Sequence, residues 1–94
     1  MGRVPTKKTI TALVSDLANP QNLYASSGDG VFKSQDAGKS WQTMNTGLSE
    51  TVIVALTLHP TQPLRLYAAT ASGQIFRSTD GAATWQRQGQ LATE

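Results

Sequence analysis

The chain contains the stretch Ser34-Gln35-Asp36-Ala37-Gly38-Lys39-Ser40-Trp41 and, 44 residues later, the stretch Ser78-Thr79-Asp80-Gly81-Ala82-Ala83-Thr84-Trp85. Both octapeptides fit the pattern Ser-x-Asp-x-x-x-Ser/Thr-Trp. Each also follows an aromatic and a basic residue, Phe32-Lys33 in the first case and Phe76-Arg77 in the second. A pattern that returns once at this spacing in a chain of 94 residues predicts two copies of one structural unit.

The similarity between the two copies extends beyond the octapeptides. Ile10-Thr11-Ala12-Leu13 aligns with Ile53-Val54-Ala55-Leu56 at a separation of 43 residues, one fewer than the octapeptides. We place the extra residue of the second copy near Ala71-Ser72-Gly73, because loops accept insertions at little cost in closure entropy. These limits predict an N-terminal tail at 1–8, a first unit at 9–48, a second unit at 49–90 and a C-terminal tail at 91–94.

Charge and composition exclude several classes of function. Eight Lys and Arg residues stand against six Asp and Glu, and Lys7-Lys8 is the only adjacent basic pair, so the basic stripe of a nucleic-acid-binding protein is absent. The chain has no cysteine, which excludes disulfide bonds and thiolate metal sites. No apolar run approaches the roughly 20 residues of a membrane helix, and the first residues lack the apolar segment of a secretion signal. We therefore expect no nucleic-acid or membrane partner, and a cytoplasmic location for the chain as expressed, although a parent protein could be exported.

Each repeat contains four short stretches typical of β-strands, separated by turn residues. The predicted strands, paired by repeat, are Thr9–Ser15 with Thr51–Leu58, Asn22–Ser26 with Arg65–Thr70, Val31–Ser34 with Gln74–Ser78, and a fourth pair that opens at Ser40-Trp41 and Thr84-Trp85. The first strands are nearly continuous apolar and β-branched runs, which predicts burial on both faces. Four strands in a repeat of this length are typical of a β-propeller blade.

The two octapeptides resemble Asp-boxes, the motif of the BNR (bacterial neuraminidase) repeat superfamily. That group includes sialidases, xyloglucanase-type glycoside hydrolases, sortilin-like receptors and the photosystem II assembly-factor family. The stretch Pro63-Leu64-Arg65-Leu66-Tyr67-Ala68-Ala69-Thr70 is also similar to the usual lead-in to the motif. The resemblance covers both repeats and implies an all-β fold of two four-stranded antiparallel propeller blades. It also implies that each Asp-box forms the turn between the third and fourth strands of its blade.

The residue types of the two boxes suit a closely hydrogen-bonded turn. Asp36 and Asp80 can accept hydrogen bonds from backbone N–H groups one or two residues further on, and the hydroxyls can link the strand ends. Tryptophan offers a large apolar surface, and glycine accepts positive φ. We therefore predict a structural role for the Asp-box residues Ser34, Asp36, Gly38, Ser40, Trp41, Ser78, Asp80, Gly81, Thr84 and Trp85.

The two boxes are expected to differ in stability. The resembling family usually has two glycines after the aspartate, whereas each copy here keeps one, Gly38 or Gly81. If Ala82 has positive φ, the strain is about 1 kcal/mol. The second box should then be the weaker, and restoring glycine at Ala82 should raise the melting temperature.

The sequence predicts no catalytic, metal or cofactor site. Chemistry rarely needs duplicated residues, so the repeated Asp and Ser favour a turn over an active site. His59 is the only histidine and has no second one with which to bind a metal ion. Arg3-Val4-Pro5 resembles the Arg-Ile-Pro sequence that supplies one sialidase arginine, but the other sialidase residues cannot be identified. Asp16, Asp29 and Glu50 form no motif-supported pair of carboxyl groups of the kind that glycoside hydrolysis requires. We therefore expect no enzyme activity.

A blade buries its faces against neighbouring blades, so two blades alone expose two apolar faces. Head-to-tail copies of the chain could close a ring as a homotrimer of six blades or a homotetramer of eight. A homopentamer is less favoured, because propellers typically have 4–8 blades. Alternatively, the chain is part of a longer propeller, as an excised or engineered fragment or a truncated gene. The sequence thus predicts a self-assembling scaffold, and a module that binds a glycan or a protein is the alternative.

Overall fold

The computed structural model describes residues 4–90, and its regular structure is entirely β. The strands are β1 (Ala12–Ser15), β2 (Leu23–Ser27), β3 (Gly30–Ser34), β4 (Gln42–Thr43), β5 (Ile53–Leu58), β6 (Leu66–Thr70), β7 (Gln74–Ser78) and β8 (Gln86–Gln90). In this part of the chain no helix is long and apolar enough to cross a membrane.

The strands form two antiparallel sheets of four, each in chain order from β1 to β4 and from β5 to β8. Corresponding residues of the two repeats occupy corresponding positions in the two sheets. Tyr24 pairs with Lys33 across β2 and β3, and Tyr67 pairs with Arg77 across β6 and β7. The prediction of an all-β chain with two four-stranded, blade-like sheets is confirmed.

The extra residue of the second repeat lies in a turn, as predicted. The turn between β2 and β3 is Gly28-Asp29, whereas the turn between β6 and β7 is Ala71-Ser72-Gly73. Gly30 and Gly73 have φ angles of 115° and 89°, which glycine adopts without the steric cost of a Cβ atom. The insertion therefore leaves the pairing of β6 with β7 in the same register as that of β2 with β3.

The fourth strands begin later than predicted. β4 contains only Gln42–Thr43, and β8 begins at Gln86, so both tryptophans precede their strands. The reason is the length of the Asp-box turn, whose hydrogen bonds extend to Ser40 in the first repeat and Thr84 in the second.

The expectation that the first strands are buried on both faces is wrong. Leu13 of β1 is 63% exposed and Val54 of β5 is 49% exposed, whereas Ile53 and Leu56 of β5 are buried. Within residues 4–90, each sheet has a neighbouring sheet on one side only. On the side of the first sheet that lacks a neighbour, Leu13 faces solvent, whereas its register neighbours Ala25 and Phe32 on the same side are buried.

The core lies between the two sheets, where β1 and β2 lie against β5. Tyr24 and Val31 of the first sheet form one buried cluster with Ile53, Leu66 and Trp85 of the second. Full burial of such an apolar side chain contributes about 1.5–3 kcal/mol relative to exposure. Each sheet therefore stabilises the other through one of its two faces.

Candidate functional site

The turn after β3 is closed by the side chains of Ser34, Asp36 and Ser40. The Oδ1 atom of Asp36 accepts hydrogen bonds from the hydroxyl of Ser34 at 2.8 Å and from the backbone N–H of Ser40 at 2.9 Å. Its Oδ2 atom accepts a hydrogen bond from the Ser40 hydroxyl at 2.5 Å. The Oγ atom of Ser34 accepts a hydrogen bond from the N–H of Gly38 at 2.8 Å. The turn thus supplies partners for its own polar side chains.

The turn after β7 repeats this geometry. The Oδ1 atom of Asp80 lies 2.8 Å from the Oγ of Ser78 and 2.9 Å from the backbone nitrogen of Thr84. Its Oδ2 atom accepts from the Thr84 hydroxyl at 2.5 Å, and the Ser78 Oγ accepts from the N–H of Ala82 at 2.8 Å. The predicted Asp-box residues with carboxyl and hydroxyl groups therefore meet in two equivalent turns.

The backbone donors to the carboxylates differ from the prediction of N–H groups one or two residues further on. Asp36 accepts from Ser40 and Asp80 from Thr84, in each case four residues further along the chain. The N–H of Gly38 is instead bound by the hydroxyl of Ser34. The serine hydroxyl therefore binds the start of the turn, and the carboxylate binds its end.

These hydrogen bonds favour the ionised form of both carboxyl groups. The hydroxyl and N–H of Ser40, helped by the hydroxyl of Ser34, lower the pKa of Asp36 to about 2. The hydroxyl and N–H of Thr84 likewise lower the pKa of Asp80. A carboxylate that stays ionised and uses its oxygens within a turn is better suited to holding that turn than to transferring protons near neutral pH.

Both boxes hold an alanine in the left-handed region of backbone conformation. The φ angles are 62° at Ala37 and 73° at Ala82, beside 92° at Gly38 and 71° at Gly81. The expected positive φ of Ala82 is confirmed. The conclusion that the second box is the weaker does not follow, because Ala37 carries the equivalent strain in the first. The two alanines differ in environment, since Ala82 is fully buried and Ala37 is exposed.

The two tryptophans have different surroundings. Trp85 is buried, and it donates hydrogen bonds from Nε1 to the carbonyl oxygen of Met44 at 2.9 Å and from its backbone N–H to that of Thr46 at 2.8 Å. Gly47 has a φ of 93°, and a Cβ atom there would collide with the carbonyl oxygen of Trp85. Trp41 is only partly buried as a residue, and its Nε1 atom is shielded from solvent without a hydrogen-bond partner. Trp85 therefore fixes the second blade to the end of the first, while Trp41 has no such partner in the described chain.

A second connection between the blades, which the sequence analysis missed, involves Lys33. Its Nζ atom donates a hydrogen bond to the carbonyl oxygen of Gly81 at 3.2 Å and lies 5.4 Å from the centre of the Tyr24 ring. The side chain thus links β3 of the first blade to the Asp-box turn of the second. One feature of the sequence pointed to this contact: a basic residue follows phenylalanine in both repeats, as Lys33 and Arg77.

A cavity of about 270 Å³ lies beside the β1–β2 and β5–β6 turns and is lined in part by Asp16 and His59. The Oδ1 atom of Asp16, a residue 6% exposed, accepts a hydrogen bond from the N–H of Ala18 at 2.9 Å. The Nδ1 atom of His59 accepts the N–H groups of Thr61 and Gln62, both at 3.1 Å. Each side chain stabilises its own turn. Nothing in the sequence indicates that these two residues line one cavity.

The other carboxylates considered as catalytic candidates, Asp29 and Glu50, have different hydrogen-bond partners. Asp29 accepts a hydrogen bond from Thr6, which is the main cause of its lowered pKa, and lies 3.5 Å from the Nζ of Lys8. Glu50 accepts a hydrogen bond from a hydroxyl in the β6–β7 turn. Between residues 4 and 90, no three His, Cys, Asp or Glu side chains are grouped closely enough to hold a metal ion. Arg3 lies outside the described residues.

Solved structures that share this fold include an enzyme and a second protein. An ancestral GH74 enzyme matches with a TM-score of 0.78 and 23% sequence identity, over 88% of this chain and 11% of the enzyme. YCF48 from Cyanidioschyzon merolae matches with a TM-score of 0.70 and 17% identity, over 97% of this chain and 26% of that protein. The chain thus spans only a small part of either protein, and at these identities the likeness shows the fold alone. No curated protein matches the chain.

A sequence family provides the remaining comparison. The model of the Sortilin-Vps10 family, described as sortilin, neurotensin receptor 3, matches residues 29–92. The match includes both Asp-boxes and covers more than half of the chain. The resemblance to Asp-box propeller repeats is therefore confirmed by the family match, the fold and the structural neighbours, and the chain belongs to the Sortilin-Vps10 family.

Proposed function

We propose that the chain is a structural unit that assembles with copies of itself into a closed ring of propeller blades and performs no catalysis of its own. The unequal burial of corresponding residues in the two repeats carries this proposal. Leu56 is 7% exposed because it packs against the first blade, whereas its counterpart Leu13 is 63% exposed. The same difference separates two further pairs, buried Leu66 from partly buried Leu23 and buried Trp85 from partly buried Trp41.

Each blade therefore has one face that the other blade covers and one that stays open in residues 4–90 of the single chain. The open face of the first blade is called the Trp41 face and consists of Leu13, Leu23 and Trp41. The open face of the second blade is called the Tyr67 face and consists of Ala55, Thr57, Tyr67, Ala69 and Ile75. Tyr24 and Val31, the counterparts of two of these residues, are buried in the core.

Covering these two faces supplies the free energy for assembly. Moving a leucine from exposure to full burial contributes about 1.5–3 kcal/mol, and adjoining apolar residues on a protein surface mark sites of interaction. A further copy of the chain supplies a face of each type, and faces of these two types already pack against each other between the two blades. Self-assembly therefore requires no surface other than those that the chain carries.

Ring closure limits the number of copies. Three chains give six blades and four chains give eight, and both numbers lie within the 4–8 blades of typical propellers. Five chains would give ten blades, outside that range. We expect a homotrimer or a homotetramer.

Native mass spectrometry and sedimentation velocity at several protein concentrations test this function. The expected result is the mass of three or four chains, with a melting temperature that rises with concentration because folding and assembly are coupled. A monomeric mass together with a melting temperature independent of concentration would contradict the ring.

A second candidate function is the binding of a carbohydrate or a protein by a two-blade segment of a larger propeller. The cavity that contains Asp16 and His59 favours it, because a carboxylate accepts hydrogen bonds from sugar hydroxyls. A glycan array probed with the wild type and with Asp16→Asn tests the carbohydrate form. The variant keeps an oxygen that can accept from the N–H of Ala18 but removes the charge. Glycan binding that the variant loses would support this function, and a wild type that binds no glycan would count against it.

A further inference from the structure

Three buried side-chain polar atoms in residues 4–90 have no hydrogen-bond partner: Nε1 of Trp41, Oε1 of Gln74 and Nε of Arg77. Buried donors without partners are rare in folded proteins and costly, since they have lost their bonds to water. The two donors lie in different blades, Trp41 in the first and Arg77 in the second. In the other repeat, the residue that corresponds to each of them does have a partner.

Trp41 corresponds to Trp85, whose Nε1 donates to the carbonyl oxygen of Met44 in the preceding blade. The position of Met44 corresponds in the second repeat to Gln88, which lies in β8. If a second copy places its second blade against the Trp41 face, the carbonyl oxygen of its Gln88 takes the place of that of Met44. The free indole N–H of Trp41 then has an acceptor.

Arg77 corresponds to Lys33, whose Nζ donates to the carbonyl oxygen of Gly81 in the following blade. The position of Gly81 corresponds in the first repeat to Ala37. The second copy that covers Trp41 therefore also brings its own Arg77 close to the carbonyl oxygen of Ala37 in the first chain. One arrangement of the second copy therefore brings an acceptor towards both donors; because both atoms are shielded from solvent in the single chain, the side chains that cover them must shift as the copies meet.

The apolar surfaces agree with this arrangement. The Tyr67 face contains a groove of about 210 Å³ lined by Thr57, Tyr67 and Ile75, among others. On the first blade, the counterparts of the last two residues, Tyr24 and Val31, are buried against the second blade. The residues of the Trp41 face correspond to those with which the second blade covers the first. These pairs are Leu13 with Leu56, Leu23 with Leu66, and Trp41 with Trp85.

We infer that the partner of each open face is the unlike face of a second copy, so that the Trp41 face of one chain binds the Tyr67 face of the next and repeats the junction between the two blades. This inference rests on the proposed self-assembly and adds the orientation and the hydrogen bonds of the contact. Two like faces cannot form these bonds, because each blade holds one free donor while the acceptor for that donor belongs to the opposite blade. The contact is therefore heterologous, and rings result when it closes.

Two variants that each block one face test the orientation. Leu13→Glu introduces a charge on the Trp41 face, and Thr57→Glu introduces one on the Tyr67 face; both residues are exposed, so the fold of the chain is retained. Each variant alone is expected to be monomeric. An equimolar mixture is expected to form a 1:1 dimer, because the first variant keeps its Tyr67 face and the second keeps its Trp41 face.

The mixture is measured by sedimentation velocity at about a hundred times the midpoint concentration of wild-type assembly, because one junction lacks the avidity of a closed ring. If wild-type assembly is observed, the unlike-face contact is overturned by either of two results. One is a variant that dimerises alone, and the other is a mixture that stays monomeric. A wild type that is monomeric at every concentration would instead contradict the proposed function.

Substitutions at Arg77 test the hydrogen bond. Arg77→Met keeps most of the side-chain stem but removes the donor, and it should raise the midpoint concentration of assembly by about tenfold. Arg77→Lys should restore assembly to near the wild-type midpoint, since Lys33 makes the corresponding bond within the chain. Lys33→Met serves as the control and should lower the thermal stability of the dissociated chain. Unchanged assembly of Arg77→Met would contradict the role of this residue.

Discussion

The indole nitrogen of Trp85 lies 2.9 Å from the carbonyl oxygen of Met44, and this hydrogen bond joins the second blade to the end of the first. The Met44 side chain also packs against the buried cluster between the sheets. The backbone N–H of Trp85 binds the carbonyl oxygen of Thr46, so the same tryptophan holds the link between the blades at two points. The strength of this junction determines whether the two blades unfold as one unit.

Replacing Trp85 by phenylalanine should weaken this junction. Trp85→Phe removes the donor and leaves the carbonyl oxygen of the partly buried Met44 without this bond. The same replacement at Trp41 removes a donor that has no partner in the single chain. Urea unfolding of the dissociated chain should therefore give a free energy of unfolding about 1–3 kcal/mol lower for Trp85→Phe than for Trp41→Phe. Equal losses in the two variants would show that the bond to Met44 contributes nothing.

Gly47 should be intolerant of any side chain. Gly47→Ala combines a left-handed backbone conformation with a clash against the carbonyl oxygen of Trp85. We expect a loss of about 2–4 kcal/mol in the free energy of unfolding, measured by urea denaturation. Gly28→Ala is the matched control, because its φ is not left-handed and the three atoms nearest to its new methyl group all belong to the side chain of Lys8, which can move. A control as unstable as Gly47→Ala would contradict this account.

Glycine should stabilise the chain at Ala37 more than at Ala82. Ala37→Gly relieves about 1–2 kcal/mol of left-handed strain and gives up about 0.4–1 kcal/mol through the greater freedom of the unfolded chain. Ala82→Gly has the same two effects and also loses a buried methyl group, at about 0.8 kcal/mol. Thermal denaturation should therefore show a higher melting temperature for Ala37→Gly and little change for Ala82→Gly. The reverse order would show that burial of Ala82 does not offset its strain.

The fold could be predicted from the sequence because its signals are local and repeated. The two octapeptides identify the turns, and the serine, aspartate and glycine residues in them are there for reasons of short-range geometry. The extra residue near Gly73 could be placed in a turn by alignment of the chain with itself. The burial of the first strands was misjudged, because the apolar character of Leu13 and Val54 was interpreted strand by strand, whereas the count of two repeats already predicts an exposed apolar face on each blade.

The contacts between the blades could not be predicted in the same way. Trp85 and Lys33 donate to backbone carbonyl oxygens, and every residue has such an oxygen, so the sequence does not mark the acceptor. Repetition of Trp41 and Arg77 indicated that these positions matter, but only the arrangement of the two sheets shows which donor has a partner. The same limitation applies to the cavity shared by Asp16 and His59, which depends on how two distant turns meet.

Stability should fall in acid because of the Asp-box carboxylates. The hydrogen bonds from Ser40 and Thr84 lower the pKa of Asp36, to about 2, and that of Asp80, whereas an unfolded aspartate has a pKa of about 3.9. A group with a lower pKa in the folded state contributes fully above its unfolded pKa, and the contribution is lost as pH falls through the folded pKa. The contribution of these two groups to the free energy of unfolding should therefore be constant above about pH 5 and decrease between about pH 4 and pH 2.

Urea denaturation at a series of pH values measures this decrease, and the double variant Asp36→Asn, Asp80→Asn provides the comparison. The variant should be less stable than the wild type near neutral pH, because it lacks the charge that strengthens the hydrogen bonds. Its stability should depend less on pH between about pH 4 and pH 2. A carboxyl titration of Asp36 followed by NMR should have its midpoint well below that of an unfolded aspartate. A midpoint at the unfolded value, or identical pH dependence in the two proteins, would contradict the assignment of acid sensitivity to these turns.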